Sequence, residues 1–338
     1  MKRLFFLTSI VALLCSACSN NDDEVTPEKG AKASLTITLT GTGAEGNSTR
    51  LVGTPTQVDE NEVHSFTVYI FANNRLEKSE TSTTLLGLSL FIDELTTGVK
   101  RIVVVANKPS TFPVFEEGDP YSKFAEVSSH INLDYQTTAL NNGLIMTGET
   151  DATLQSIAVG TNNITIPISR IVAKIKLGTV TIDPAAGVNP ALFELTGVAI
   201  IKAKSLSSVG VPSIVTSQPF YSGIEGIAVH GINIKSYLYE PITLADHTNR
   251  YFYVFANDSG NDDDATLVTL EGTYDNKIMY YPFRLPAIAR NTQHTVDVTL
   301  RRLGTGSPDP ETPSDPATLT VVVTPVDWIV VPTLSVEW

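Results

Sequence analysis

The chain consists of many short segments with the alternation or apolar content of β-strands, and no stretch shows the longer apolar period of a helix. Residues 66–71 and 100–105 are examples in the first half, and residues 251–255 and 296–300 in the second. Gly, Asn, Asp and Pro residues separate these segments. Short strands joined by such turns favour sheets packed face to face. We therefore predict an all-β protein of two tandem antiparallel β-sandwiches with a Greek-key, transthyretin-like topology.

The length of 338 residues also favours two domains. We place the N-terminal sandwich at residues 51–168 and the C-terminal sandwich at residues 169–303. Residues 119–140 are irregularly spaced and are predicted to hold a short helix, whereas residues 157–168 have strand composition. Residues 304–316 form a tether of Gly, Pro, Ser and Asp, so residues 304–338 are predicted to be a linker followed by C-terminal strands.

Two strand sequences lie near the ends of the chain, outside the predicted sandwiches. Leu35, Ile37 and Leu39 alternate with threonines, and the same spacing returns after the tether at positions 319, 321 and 323. A terminal strand on a tether has an apolar face and unpaired backbone groups, and it therefore needs a partner.

The first residues have the features of a bacterial export signal. Two basic residues precede an apolar run over residues 4–14, which is too short to span a bilayer. Residues 15–18 resemble a lipobox, so we expect residues 1–17 to be a lipoprotein signal peptide and the Cys18 thiol to carry lipid. A plain signal peptide cleaved near Ala17 is the alternative. Residues 19–24 resemble an acidic tag for surface export of lipoproteins.

The composition argues against several kinds of binding partner and several kinds of chemistry. The net charge of −13 argues against a nucleic-acid partner. The two cysteines are Cys15 and Cys18, so the body of the protein has no thiol for disulfide or thiolate chemistry. The five histidines are scattered without metal-ligand spacing, and no catalytic or nucleotide-binding motif occurs. We expect no enzyme activity, no cofactor and no metal.

Two further patterns have competing interpretations. The acidic run over residues 258–264 could hold calcium, but it lacks the glycine and distal glutamate of a calcium loop, and a solvated hairpin loop is favoured. The tyrosines at positions 237, 239, 280 and 281 could stack on sugars, but aromatic residues in strands more often cover sheet faces.

Arg50 is the only arginine between Cys18 and Arg75, and it lies in a flexible, polar stretch. Cleavage between Arg50 and Leu51 by a trypsin-like protease would detach the propeptide, residues 18–50, with the strand over residues 33–40. The groove left behind would expose apolar core and unpaired backbone groups, which is costly in water.

The C-terminal segment could fill such a groove in another copy of the chain by β-strand addition, and head-to-tail addition yields a filament. Its predicted donor residues are Leu319, Val321, Val323, Val326, Trp328, Ile329 and Val331. The alternative is that residues 318–338 form a hairpin on their own second domain, with turns at Pro325 and Pro332.

Several stretches of the chain resemble the fimbrillin family of the Bacteroidales, the shaft subunits of protease-assembled (type V) pili. They are residues 100–107, 143–147, 169–176, 251–258, 289–298 and 319–338. The resemblance implies a lipid-tethered precursor at the outer membrane that an arginine-specific protease trims at Arg50. The C-terminal strand of one subunit then fills the groove of the next, in an extracellular fimbrium that also contains anchor and tip subunits and supports adhesion.

The main competitor from another class is an outer-membrane surface lipoprotein that binds glycans on its sandwich faces. The tether and the terminal strand favour a shaft subunit over a tip adhesin, which would lack a donor segment. The presence of Arg50 argues against an anchor, which would keep its first strand and its lipid.

Overall fold

The computed structural model describes residues 30–41, 60–82, 88–125, 128–129, 143–184, 186–209, 220, 228–229, 232–233, 237–259, 263–304, 319–327 and 333–334. Nearly all of the secondary structure is β, which confirms the all-β prediction. Among the described residues, the exceptions are the helix α1 (Tyr121–Ala125), within the range predicted to hold one, and two 3-10 turns (Pro190–Leu192 and His247–Asn249). Within these residues, no helix combines the length and apolar character needed to cross a membrane.

The described residues of the first half form nine strands: β1 (Lys32–Gly41), β2 (Glu62–Val63), β3 (Phe66–Ala72), β4 (Arg75–Ser82), β5 (Ser89–Thr96), β6 (Gly98–Ala106), β7 (Ser128–Ser129), β8 (Met146–Leu154) and β9 (Asn162–Arg170). Residues 157–159, predicted as part of a strand, instead form a turn before β9.

Seven of these strands form one sheet in the order β4-β3-β6-β8-β9-β1-β5. Its two parts are joined only where Met146 and Thr147 of β8 pair with Arg170 and Ser169 of β9. The sheet therefore divides into a layer of four strands and a layer of three, β9-β1-β5. Apolar side chains from both layers form one buried core between them, which makes this half a sandwich.

The second half contributes the remaining strands: β10 (Val172–Ile182), β11 (Phe193–Ile201), β12 (Ser207–Ser208), β13 (Ala228–Val229), β14 (Ile232–Asn233), β15 (Tyr237–Pro241), β16 (Tyr251–Phe255), β17 (Leu267–Tyr274), β18 (Lys277–Arg284), β19 (Thr292–Leu300), β20 (Leu319–Asp327) and β21 (Thr333–Leu334).

Two four-stranded sheets of this half, β16-β10-β19-β20 and β15-β11-β17-β18, enclose a second buried core. The acidic run over residues 258–264 follows β16 and precedes β17, which belong to opposite sheets. The hairpin predicted there is therefore wrong, because this loop crosses from one sheet to the other.

In each half, the first strand runs parallel to a strand that comes much later in the sequence. β1 is parallel to β9, and β10 is parallel to β19, although most other pairs are antiparallel. A third buried cluster, rich in aromatic residues, contains Tyr69 and Phe71 of β3 together with Tyr253 and Phe255 of β16. It packs the two halves against each other. The domain boundary placed at residues 168/169 stays a prediction.

Candidate functional site: the first strand and the C-terminal strand

β1 occupies the middle of the three-stranded layer of the first sandwich. It pairs in parallel with β9 on one side and antiparallel with β5 on the other. Leu35 and Ile37 are 0% exposed and Leu39 is 3% exposed, so all three side chains belong to the core. In the described part of the chain, β1 is the only strand that pairs with β5. Removing β1 would therefore open the core and leave β5 without a hydrogen-bonded neighbour.

The opposite face of β1 is polar, as the alternation of its sequence requires. Thr36 and Thr38 point away from the core and are partly exposed. The hydroxyl of Thr38 lies 2.9 Å from that of Ser89 on β5. The position therefore requires apolar residues on one face only.

The start of β1 is held mainly through its backbone. The amide of Ile157 donates to the carbonyl of Lys32 at 3.0 Å, and the side-chain amide of Asn162 donates to the carbonyl of Ser34 at 2.8 Å. Backbone carbonyls are the same in any sequence. The two amide groups could therefore donate in the same way to the backbone carbonyls of another strand in the β1 position.

β20 lies at the edge of the second sandwich and is much more exposed than β1. It runs antiparallel to β19, with Val321 opposite Val298 and Val323 opposite Val296. Val321 and Val323 are only partly buried against the second core, while Val322 is 54% exposed and Val326 is 48% exposed. Among the described residues, β20 has no strand on its other side. Its outer edge therefore has no hydrogen-bonded strand within the described part of the chain.

The connection between β19 and β20 is far longer than their pairing requires. β19 ends at Leu300 and β20 begins at its register partner Leu319, so residues 301–318 link two adjacent positions. Hairpins are usually closed by about two to five residues. Gly304, the last described residue before the gap, packs so closely on the backbone of Tyr280 that a Cβ would lie 2.5 Å from its carbonyl oxygen. Gly304 thus holds the start of the tether in place. The tether itself is longer than the pairing of β19 with β20 requires.

Residues 33–40, most of β1, and residues 317–324, which include the start of β20, have similar sequences, and four of the eight aligned positions are identical. Residues 33–40 read Ala-Ser-Leu-Thr-Ile-Thr-Leu-Thr, and residues 317–324 read Ala-Thr-Leu-Thr-Val-Val-Val-Thr. In this alignment Val321 and Val323 take the places of Ile37 and Leu39. The apolar face is kept with side chains that are equal or smaller, so the C-terminal sequence would fit the β1 position without overpacking.

A buried polar cluster anchors the chain just after the predicted cleavage region. The Glu60 carboxylate accepts hydrogen bonds from Lys174 at 2.5 Å and from the Tyr253 hydroxyl at 2.6 Å. The Arg170 side chain, 1% exposed, donates to the Glu60 carbonyl at 3.1 Å and to Asn291 at 3.3 Å. Burial, with the Glu60 carboxylate beside it, raises the pKa of Tyr253. Residues from 60 onward are therefore held by the body independently of β1.

No sequence pattern predicted this cluster. Its signal is the pair of basic residues Arg170 and Lys174 inside an apolar stretch that becomes buried strand, since buried charges require partners.

The final strand, β21, lies beside this anchored segment. Thr333 and Leu334 pair in parallel with Glu62 and Val63 of β2. The described parts of the C-terminal segment therefore pair with their own chain, on β19 and on β2. They do not form the hairpin of the alternative interpretation with a turn at Pro325, because Pro325 lies within β20 opposite His294. An edge position tolerates this proline, which lacks an amide hydrogen.

Several predicted site residues lie outside the described residues, and their roles stay predictions. They are Cys18, Arg50, Leu51, Trp328, Ile329 and Val331.

The other candidate sites do not gain support from the structure. Tyr280 and Tyr281 are 5% and 1% exposed, so they cover sheet faces, as the favoured interpretation expected, and cannot stack on a sugar. The Tyr239 hydroxyl donates to Glu271 at 3.1 Å, and burial raises the pKa of this tyrosine. Across the residues with assigned positions, no three His, Cys, Asp or Glu side chains gather in a way that could hold a metal ion.

His294 on β19 predicts a pH dependence of stability. It is 1% exposed, and burial lowers the pKa of its imidazole from the usual 6.5. Its register partners Ile175 and Pro325 carry no charge. Below about pH 6.5 the unfolded state therefore binds a proton that the folded state resists, so stability falls as the pH drops through this range. Urea unfolding at pH 7.5 and 5.5 should show a smaller loss for His294→Gln than for the unaltered chain. An equal loss in both would exclude His294 as the cause.

Comparisons with known proteins agree with this architecture. A family described as "Major fimbrial subunit protein (FimA)" matches residues 33–181, a range that starts within β1 and ends within β10. Over this range, which is less than half of the chain, the sequence is similar to that family of fimbrial subunits. This confirms the resemblance found in the sequence.

Solved structures of two other proteins share the fold of this chain. The fimbrilin FimA from Porphyromonas gingivalis W83 superposes with a TM-score of 0.65 at 16% identity, covering 90% of this chain and 100% of that one. A protein from Bacteroides eggerthii described as a cell adhesion protein gives a TM-score of 0.64 at 19% identity, covering 90% and 98%.

A curated relative matches a smaller part of the chain. The fimbrium tip subunit Fim1C of Parabacteroides distasonis is 30% identical over 117 residues, which is 33% of this chain. The match spans only 27% of the length of that relative.

Proposed function

We propose that this protein is a structural subunit of a surface fimbria, without catalytic activity, and that it polymerises by strand exchange. In this proposal β1 leaves the first sandwich, and the C-terminal strand of a neighbouring copy takes its place. The single observation that carries the proposal is the contrast between β1 and β20. Two strands with matching apolar faces occupy one central, buried position and one exposed edge position of the same chain.

Energetics favour the exchange once the β1 position is empty. At the edge of the second sandwich, Val321 and Val323 are partly exposed, and β20 has one hydrogen-bonded neighbour among the described strands. In the β1 position both side chains would be fully buried, and the strand would pair with β9 and β5. Full burial contributes about 1.5–3 kcal/mol per valine-sized side chain relative to full exposure, and added hydrogen bonds contribute about 1 kcal/mol each.

Proteolysis is the proposed trigger. Cleavage after Arg50 would separate β1 from the segment that begins at Glu60, which the buried cluster with Arg170 and Lys174 holds in place. Once the covalent link is cut, β1 can dissociate. It then has to rebind from solution, without the high effective concentration that the link provided. The surplus length of residues 301–318 would then let the C-terminal strand reach a neighbouring copy.

The remaining parts of the proposal concern export and partners. Lipid on Cys18 would hold the precursor at the outer membrane, and an arginine-specific protease would release the trimmed subunit into an extracellular fimbrium. Copies of the chain itself would be the main partners, with anchor and tip subunits at the ends of the filament.

Trypsin treatment tests the trigger. We expect trypsin to cut the purified chain after Arg50 and to produce filaments, seen by mass spectrometry and electron microscopy. Arg50→Ala should remain uncut at this position and monomeric, because β1 stays covalently attached. Arg50→Lys is the matched control, since trypsin also cuts after lysine, and it should assemble like the unaltered chain.

The proposal fails if Arg50→Ala assembles at the normal rate. A monomer that binds a polysaccharide saturably and never polymerises after cleavage would instead support the glycan-binding lipoprotein.

A further inference from the structure

The direction of β1 determines from which end a replacing strand must enter. β1 is parallel to β9, and its last residue Gly41 pairs with Ile168, just before the chain passes into β10. The end of β1 therefore faces the second sandwich. Its start, near Lys32, lies at the far end of the first sandwich.

The tether begins at the opposite end of the molecule. β10 starts at Val172 beside the first sandwich and runs away from it to Ile182, which pairs with Leu300 at the end of β19. The amide of Asp183 donates to the carbonyl of Leu300 at 3.0 Å. Gly304 follows directly and is packed on Tyr280, so the tether leaves from the far end of the second sandwich.

Each of these two ends exposes apolar side chains. At the start of β1, Val99 is 69%, Ile157 56% and Val159 74% exposed. We call these three residues the strand-entry surface. Register and hydrogen bonds bring their segments together, because Gly98 pairs with Leu154 and the amide of Ile157 donates to Lys32.

At the tether end, Leu192 is 42%, Ile278 40% and Leu303 37% exposed, and we call them the tether-exit surface. The amide of Asp275 donates to the carbonyl of Leu192 at 3.1 Å, which places Leu192 beside the β17–β18 turn. Leu303 adjoins Gly304, which packs on Met279 and Tyr280 of β18.

We infer that the tether-exit surface of one copy packs against the strand-entry surface of the next copy, as a second contact at every subunit junction. This inference rests on the proposed strand exchange, in which a strand replacing β1 in the same direction enters beside Val99, Ile157 and Val159. The tether that carries it leaves its own subunit beside Leu192, Ile278 and Leu303. The polarity of the strands thus brings these two surfaces face to face.

The contact gives the tether a defined geometry. The sixteen residues from Gly304 to Leu319 could span about 50 Å when extended, so the exchanged strand alone would leave neighbouring bodies loosely connected. Packing of the two apolar surfaces joins the bodies directly, removes their exposed side chains from water, and makes the filament stiff.

The test separates this contact from strand exchange itself. Two charge variants alter the surfaces, Ile157→Lys/Val159→Lys on one and Ile278→Lys/Leu303→Lys on the other. Val114→Lys and Leu244→Lys are controls, because these residues are 84% and 39% exposed but belong to neither surface. After trypsin treatment, we expect each double variant to polymerise about tenfold more slowly than the controls, since an uncompensated charge opposes apolar packing.

A separate peptide-binding experiment measures strand exchange without the contact between the bodies of two subunits. A synthetic peptide of residues 317–338 is added to trimmed chains whose own donor strand carries Val321→Asp/Val323→Asp. Peptide affinity should be the same with and without the surface substitutions, because the peptide brings no second body. Equal thermal melting of the untrimmed variants verifies that they fold.

A charge-complementary chain gives a further positive result. Ile157→Lys/Val159→Lys combined with Ile278→Glu/Leu303→Glu should recover most of the polymerisation rate. The inferred contact is wrong if both double variants polymerise at the control rate while the peptide binds normally. If the unaltered trimmed chain neither polymerises nor binds the peptide, strand exchange itself is wrong and the contact is wrong with it.

Discussion

Replacing Val321 and Val323 together with aspartate is expected to abolish filament formation while leaving the monomer folded. At the edge of the second sandwich both side chains are partly exposed, so two carboxylates there remain in contact with water. In the β1 position the same side chains would take the places of Ile37 and Leu39, which are 0% and 3% exposed. Each buried, unpaired carboxylate costs several kcal/mol, so assembly should fall by at least about 1,000-fold.

The matched control for this experiment lies between the two altered residues. Val322 is 54% exposed at the edge of the second sandwich. In the β1 position it would take the place of Thr38, on the face away from the core. Val322→Asp should therefore assemble almost normally. Electron microscopy and detergent-resistant ladders on gels provide the measurement. Equal loss of assembly in Val322→Asp and in the double variant would show that the strand does not use this register.

Replacing Ile37 with alanine is expected to destabilise the precursor but not the filament. Ile37 lies in the centre of the first core with no exposed surface, and its truncation should lower the free energy of unfolding of the uncut chain by about 3 kcal/mol. After cleavage and exchange, β1 is absent from the assembled subunit. The temperature at which filaments dissociate should therefore be unchanged.

Thr36→Ala provides the control for truncation on the same strand, because Thr36 faces away from the core and should change stability by less than about 1 kcal/mol. Urea unfolding of the precursor and heating of purified filaments measure the two effects separately. Filaments weakened by Ile37→Ala would mean that β1 remains in the polymer, and strand exchange at this position would be excluded.

Local sequence patterns were sufficient to predict individual strands and their buried faces. The alternation of Leu35, Ile37 and Leu39 predicted a strand with one buried face, and residues 32–41 form that strand. The apolar run over residues 100–105 predicted a buried strand, which is the central part of β6. Period-two alternation reflects the geometry of a single strand, so it can be recognised without knowledge of the neighbours.

Pairing between strands that are distant in the sequence could not be predicted from such local patterns. The parallel pairing of β1 with β9 joins segments more than 120 residues apart, and nothing in either sequence specifies its partner. Likewise, the loop over residues 258–264 was expected to close a hairpin, but β16 and β17 belong to facing sheets. The anchoring of Glu60 by Arg170 and Lys174 also depends on residues that are distant in the sequence.

The sequence by itself determined that this protein is an all-β chain with two matching strand sequences near its ends, because strand periodicity and turn residues are local properties. Only the tertiary structure decided that one of these strands is a central, buried element and the other an exposed edge. Burial and hydrogen-bond pairing depend on which segments the fold brings together, and a similar apolar spacing in two strands carries no information about that environment.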